Sequence, residues 1–166
     1  MLDFSKQQFQ IYMKAQARAT TTATAQSHHP AAHAAAKKLP DPVFENVKFS
    51  AYDLWVTNQP ILILSADAHL SSGWAPEGTP SDVQYSVTVV AYPDIYNNLH
   101  KLYAGVTDKY HLDITPRLEL VDAVDADGDG RGELLFREIS DAGTGWLIYR
   151  ATADSLWKMY DSLNPE

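Results

Sequence analysis

From Val43 onward the chain breaks into about eight short runs rich in β-branched and aromatic residues, each closed off by Gly, Pro, Asn or Asp. FENVKFSAYDLWV, ILILSADAHL, QYSVTVVAY and LHKLYAGV come first, followed by RLELVDAV, ELLFREI, GWLIYRA and SLWKMYDS. Runs this short suit strands, and the separators supply the backbone turns that hairpins require. The region 43–166 is therefore expected to be an all-β domain without a central helix.

The eight runs divide into two sets that resemble each other. Leu99-His100-Lys101-Leu102-Tyr103 matches Leu156-Trp157-Lys158-Met159-Tyr160 at an offset of 156 − 99 = 57, and SVTVVAYPD loosely parallels GWLIYRATAD. Tyr52-Asp53 through Leu64 parallels Val124-Asp125 through Phe136 at an offset of 134 − 62 = 72. The difference of 15 is taken up by a polar insertion, SSGWAPEGTPSD, at 71–82. Each copy holds the four short strands of one propeller blade. The fold expected is two four-stranded antiparallel blade-like sheets, as a partial propeller or a sandwich, with copies at 43–108 and 117–162.

Ahead of this domain, residues 1–19 carry a helical stripe of Phe9, Tyr12 and Met13, extended by Leu2 and weakly by Ala17. A helix this short needs a surface to pack on. Docking on the β domain is the expected arrangement, with a partner-binding or interfacial helix as the alternative. The stretch 20–42 is dominated by Ala, Thr, His and Pro, with little to bury, and is expected to be a linker. Its His28, His29 and His33 lack the rigid element that would hold two imidazoles on one ion.

Composition narrows the function classes. The formal net charge of −8 over 166 residues disfavours nucleic acid and anionic membrane surfaces and suits cation binding. With no cysteine, disulfides, thiol nucleophiles and thiolate metal sites are excluded. No apolar run is long enough to cross a bilayer, and the N-terminus lacks the basic start and apolar core of a signal peptide. If the protein is exported, this chain is expected to begin after its signal or to be a piece of something longer.

The chemistry is concentrated in DADGDGRGE, residues 125–133. Acidic side chains stand at loop positions one, three, five and nine: Asp125, Asp127, Asp129 and Glu133. Calcium takes six to eight oxygens in a flexible shell, and alternating aspartates can turn to a common centre if the backbone coils around it. Gly130 at position six permits that coil, and Arg131 at position seven would contribute its backbone carbonyl. Four crowded carboxylates repel one another without a cation between them, so Ca2+ is the expected cofactor. An EF-hand is excluded, because its twelfth position is Phe136 and the flanks read as strands. Asp122 is a candidate supporting residue beside the loop.

A loop of this form between two strands, followed by the aromatic pair WLIYR and LWKMY, resembles the FG-GAP/VCBS-type repeats of integrin-like β-propellers. The resemblance covers about residues 117–162. It implies calcium held by the side chains of Asp125, Asp127, Asp129 and Glu133 and the carbonyl of Arg131. It also implies an extracellular, periplasmic or cell-envelope location and a role in adhesion or ligand display. The first copy departs from the pattern, since DLWVTNQPI offers only Asp53 and Asn58 as candidate oxygens.

No catalytic constellation stands out. His111 and Asp113 have no nucleophile elbow near them, and Gly143 and Gly145 fall where a hairpin is expected. Trp74, in the polar insertion, is the tryptophan expected to be exposed and to serve as a ligand contact, whereas Trp146 and Trp157 are assigned to the core. The sequence thus predicts a non-enzymatic calcium-binding β-domain acting as an interaction or structural subunit. A protein partner or larger assembly is expected, and oligomerisation through sheet edges is one form it could take. The alternative is a carbohydrate-binding or hydrolytic module with structural calcium and a ligand site near Trp74.

Overall fold

The computed structural model describes residues 1–24, 41–70 and 83–164. Helix α1 (Leu2–Thr24) is followed by β1 (Pro42–Tyr52), β2 (Ile61–Leu70), β3 (Tyr85–Pro93) and β4 (Leu99–Asp108). Then come β5 (Arg117–Val124), β6 (Glu133–Ser140), β7 (Gly143–Ala151) and β8 (Leu156–Asp161). The first four strands form one antiparallel sheet and the last four a second, each in chain order. The all-β class and the two four-stranded sheets agree with the expectation, and neither sheet closes into a barrel.

The helix runs on to Thr24, past its expected end at residue 19, because no Pro or Gly in ARATTTAT interrupts it. No described helix is long and apolar enough to cross a membrane. The insertion with Trp74, the linker histidines and the side chain of Ala17 lie outside the described residues.

Strand alternation builds three layers. On the first sheet, Ile61, Ile63 and Val90 face the second sheet, where they meet Leu118, Leu134, Phe136 and Leu147. The opposite face, with Ala68, Tyr85, Val87, Val89 and Val106, receives Phe9 and Met13 of α1. With both faces covered, β3 reads as an almost unbroken apolar run. Thr88, on the inter-sheet side, donates its hydroxyl to the carbonyl of Leu118 at 2.9 Å.

Phe9 is fully buried and meets Tyr85 edge-on at 5.2 Å. The buried stripe follows Met1, Ser5, Phe9 and Met13, an i, i+4 ridge inclined to the helix axis. Leu2 falls off that ridge and is 42% exposed, so it does not extend the stripe as expected.

The internal resemblance extends to local geometry. Tyr52 pairs with Ile61 and Val124 with Glu133, so eight residues, 53–60 and 125–132, close each first hairpin at the offset of 72. Val56 and Asn58 have positive φ in the first loop, as do Gly128 and Gly130, 72 residues on, in the second. The N–H of Asn58 donates to Asp53 Oδ2 at 2.9 Å, and that of Gly130 to Asp125 Oδ2 at 3.1 Å. The β3–β4 register breaks at Leu102, between Lys101 and Tyr103. The β7–β8 register breaks at Met159, between Lys158 and Tyr160, at the offset of 57.

The last turn of each sheet is closed in the same way. Asp94 N–H reaches the carbonyl of Asn98 at 2.9 Å, and Thr152 N–H that of Ser155, also at 2.9 Å. Asp94 accepts further bonds from the N–H groups of Tyr96 and Asn98, the Asn98 amide and the His100 ring. Partial desolvation works against ionisation, yet those donors hold the carboxyl down to about 2. The stability these bonds contribute is fully present above the ordinary value of 3.8 and is lost as pH falls through about 2. A carbon-detected NMR titration should give Asp94 a midpoint near 2; a midpoint at the ordinary value contradicts the turn geometry.

Candidate metal centre

The 125–132 loop is shaped by its own aspartates. Asp125 accepts the N–H of Gly128 at 2.8 Å and of Gly130 at 3.1 Å. Asp127 accepts from Asp129 N–H at 3.2 Å, and Asp129 from Arg131 N–H at 2.9 Å. Each bond is a short-range side-chain turn, and together they coil the backbone. Gly128 and Gly130 take left-handed φ of 79° and 82°, a conformation that costs other residues about 1–2 kcal/mol.

Glu133 closes the coil from the first position of β6. Its side chain is fully buried. Oε2 accepts the N–H of Ala126 at 2.9 Å, which ties the start of the loop to its end.

Carboxylate oxygens of Asp125, Asp127 and Glu133 all lie within 4.8 Å of one another. Oxygens on a calcium shell of about 2.3–2.6 Å radius are at most about 5 Å apart, so these three fit a common centre. They supply fewer ligands than calcium's usual six to eight unless some bind through both oxygens or water joins them. Asp129 does not belong to this convergent group. Arg131 enters through its backbone N–H, while its exposed side chain points away from the core.

A residue that sequence reasoning overlooked enters this cluster. Arg150, on β7, places Nη2 at 2.6 Å from Asp127 Oδ2, 2.8 Å from Glu133 Oε1 and 3.1 Å from Asp129 Oδ2. Its Nε donates to Glu133 Oε1 at 3.0 Å. The hydrogen bonds to Glu133 and Asp127 push the guanidinium further toward its charged form. In return Arg150 holds the Asp127 carboxyl below its ordinary range. The register carries the signal for this contact. The turn at Asp141 and Ala142 sets Ser140 against Gly143, and seven places outward along each strand Glu133 meets Arg150.

The equivalent loop of the first copy keeps the backbone and loses the ligands. Trp55, Thr57, Gln59 and Ile61 stand where the second copy has Asp127, Asp129, Arg131 and Glu133. Asp53 caps the N–H groups of Thr57 and Asn58 at 3.0 and 2.9 Å, while Asn58 occupies the left-handed position of Gly130.

This loop instead braces the acidic one. Leu54, fully buried, accepts the N–H of Gly132 at 3.0 Å, and a Cβ on Gly132 would lie 2.9 Å from Leu54 Cδ2. Trp55 Nε1 donates to the carbonyl of Ala151, next to Arg150, at 3.0 Å.

The other candidates fall elsewhere. His111, in the turn after β4, places Nδ1 2.8 Å from Asp108, the buried last residue of that strand. Asp122 accepts the N–H of its neighbour Ala123 at 2.8 Å, a bond local to its own strand. Trp146 and Trp157 are 47% and 56% exposed, contrary to their assignment to the core. They lie on the outer face of the second sheet, because Leu147, Tyr149 and Ala151 take the inward positions.

Comparison with family models, curated proteins and solved structures finds no match.

Glu133→Ala would remove the fully buried carboxylate shared by Arg150 and the Ala126 N–H, leaving Arg150 with Asp127 and Asp129. Urea unfolding with a chelator present should show a lower midpoint for the variant; an unchanged midpoint would mean that these bonds do not hold the loop.

Proposed function

We propose that this protein is a non-enzymatic calcium-binding β-domain, a structural or interaction subunit of an extracellular or envelope assembly. The observation that carries the reading is the convergence of Asp125, Asp127 and Glu133 oxygens within 4.8 Å, in a loop already coiled by its own aspartates. Calcium there would tie β5 to β6. Because the loop rests on Leu54, the ion's binding energy would also reinforce the contact between the two sheets. Asp129 and the Arg131 carbonyl would join the shell on binding, as the FG-GAP/VCBS resemblance implies. The wider role draws on that resemblance and on the open sheet edges: β1 and β8 are both edge strands, with Val47 and Phe49 exposed on one and Trp157 and Tyr160 on the other.

A second reading has one observation in its favour. Trp146, Trp157 and Tyr160 share the outer face of the second sheet, since Tyr160 pairs with Ile148 and Trp157 with Arg150. Such a face suits a sugar-binding platform with calcium in a supporting role. On this reading the platform would be the outer sheet face, in place of the site expected near Trp74.

Calcium should raise the melting temperature and a chelator reverse the rise; Asp127→Ala should abolish most of the response. Superimposable melting curves with and without millimolar calcium would refute the calcium reading.

A further inference from the structure

Resting on the calcium reading, we infer that Arg150 is a built-in competitor for the metal site: its guanidinium and a divalent cation hold the same carboxylates in turn. Two of the three convergent ligands, Asp127 and Glu133, are the residues that Arg150 grips most closely, at 2.6 and 2.8 Å. Calcium would need oxygens of these carboxylates at about 2.3–2.6 Å, space that the guanidinium already occupies with Nη2 at 2.6 Å from Asp127. The two cations cannot occupy that space together, because they would repel at contact distance in a partly buried setting. Entry of calcium therefore requires Arg150 to withdraw.

The surroundings permit that withdrawal. The Arg150 side chain is 24% exposed, so solvent reaches the head group without unfolding of the strand. Its cross-strand neighbour is Trp157, whose half-exposed indole offers a face on which a guanidinium can rest. Asp129 contacts Arg150 at 3.1 Å and stands outside the convergent group. Release of the guanidinium would free this fourth carboxylate to complete the shell.

The device has two consequences. Without metal, Arg150 keeps the acidic loop folded and relieves its internal repulsion. With metal, the cost of expelling Arg150 weakens calcium binding, so the loop responds only where the ion is plentiful.

Calorimetric titration of calcium into the wild-type chain and into Arg150→Gln tests the exchange, with Arg150→Lys as the charge-retaining control. The expected result is at least a tenfold gain in calcium affinity for R150Q, together with a lower melting temperature in chelator. Binding by R150Q alone, with none by the wild type, overturns the exchange, because Arg150 then excludes the ion outright, and refutes the calcium reading for the native chain. Equal affinities, or weaker binding by R150Q, overturn the exchange while leaving the calcium reading in place. No binding by either chain overturns both.

Should R150Q fail to fold without calcium, the Arg150 Nε–H signal of the wild-type chain serves in its place. It should shift in step with calcium occupancy, and a signal that stays put while calcium binds overturns the exchange.

Discussion

A carboxylate with no access to water has to be met by donors on every side, and Glu133 imposes that condition on everything around it. One oxygen is satisfied by the backbone of Ala126 across the loop mouth, the other by Arg150 from the neighbouring strand. These bonds fix the loop's entry and exit and draw β7 into the site. Through Gly132, which lies against Leu54, the same loop is seated on the first sheet. The position of one charged atom group thereby sets the alignment of three strands and the contact between two sheets.

Comparing the two copies shows how one backbone plan supports two kinds of chemistry. Ile61 and Glu133 stand at equivalent positions, each the first residue of its second strand and each fully buried. The first copy meets burial with an apolar side chain, the second with a charge that needs partners. Replacing a buried ion pair by apolar residues is often neutral or stabilising, so stability alone does not account for Glu133 and Arg150. The proposed cation site would account for them. The first loop keeps, with left-handed φ at Val56 and Asn58, a shape that glycine adopts more easily in the second.

Much of the fold was legible in the sequence because the strands are short runs rich in β-branched and aromatic residues and the turns between them are chemically distinct. ILILSADAHL and RLELVDAV coincide with β2 and β5, and the acidic loop joins the strands expected to flank it. Helix α1 ran longer than expected, because its end depends on a breaker that ARATTTAT does not contain. Trp146 and Trp157 face outward although tryptophan on a strand suggests core, because Trp146 precedes the inward Leu147 and Trp157 pairs with Arg150, one place before the inward Ala151. Arg150 is 17 residues from Glu133, too far along the chain for any local motif. Only counting outward from the hairpin turn brings the two together.

The central proposal is that the gathered carboxylates hold a cation. A crystal structure of the wild-type chain grown with saturating calcium examines this most directly. It should show an ion bonded to oxygens of Asp125, Asp127 and Glu133 at about 2.3–2.6 Å, with the Arg150 guanidinium withdrawn from them. A map in which Arg150 still bridges Asp127 and Glu133, with no metal between the carboxylates, would contradict it.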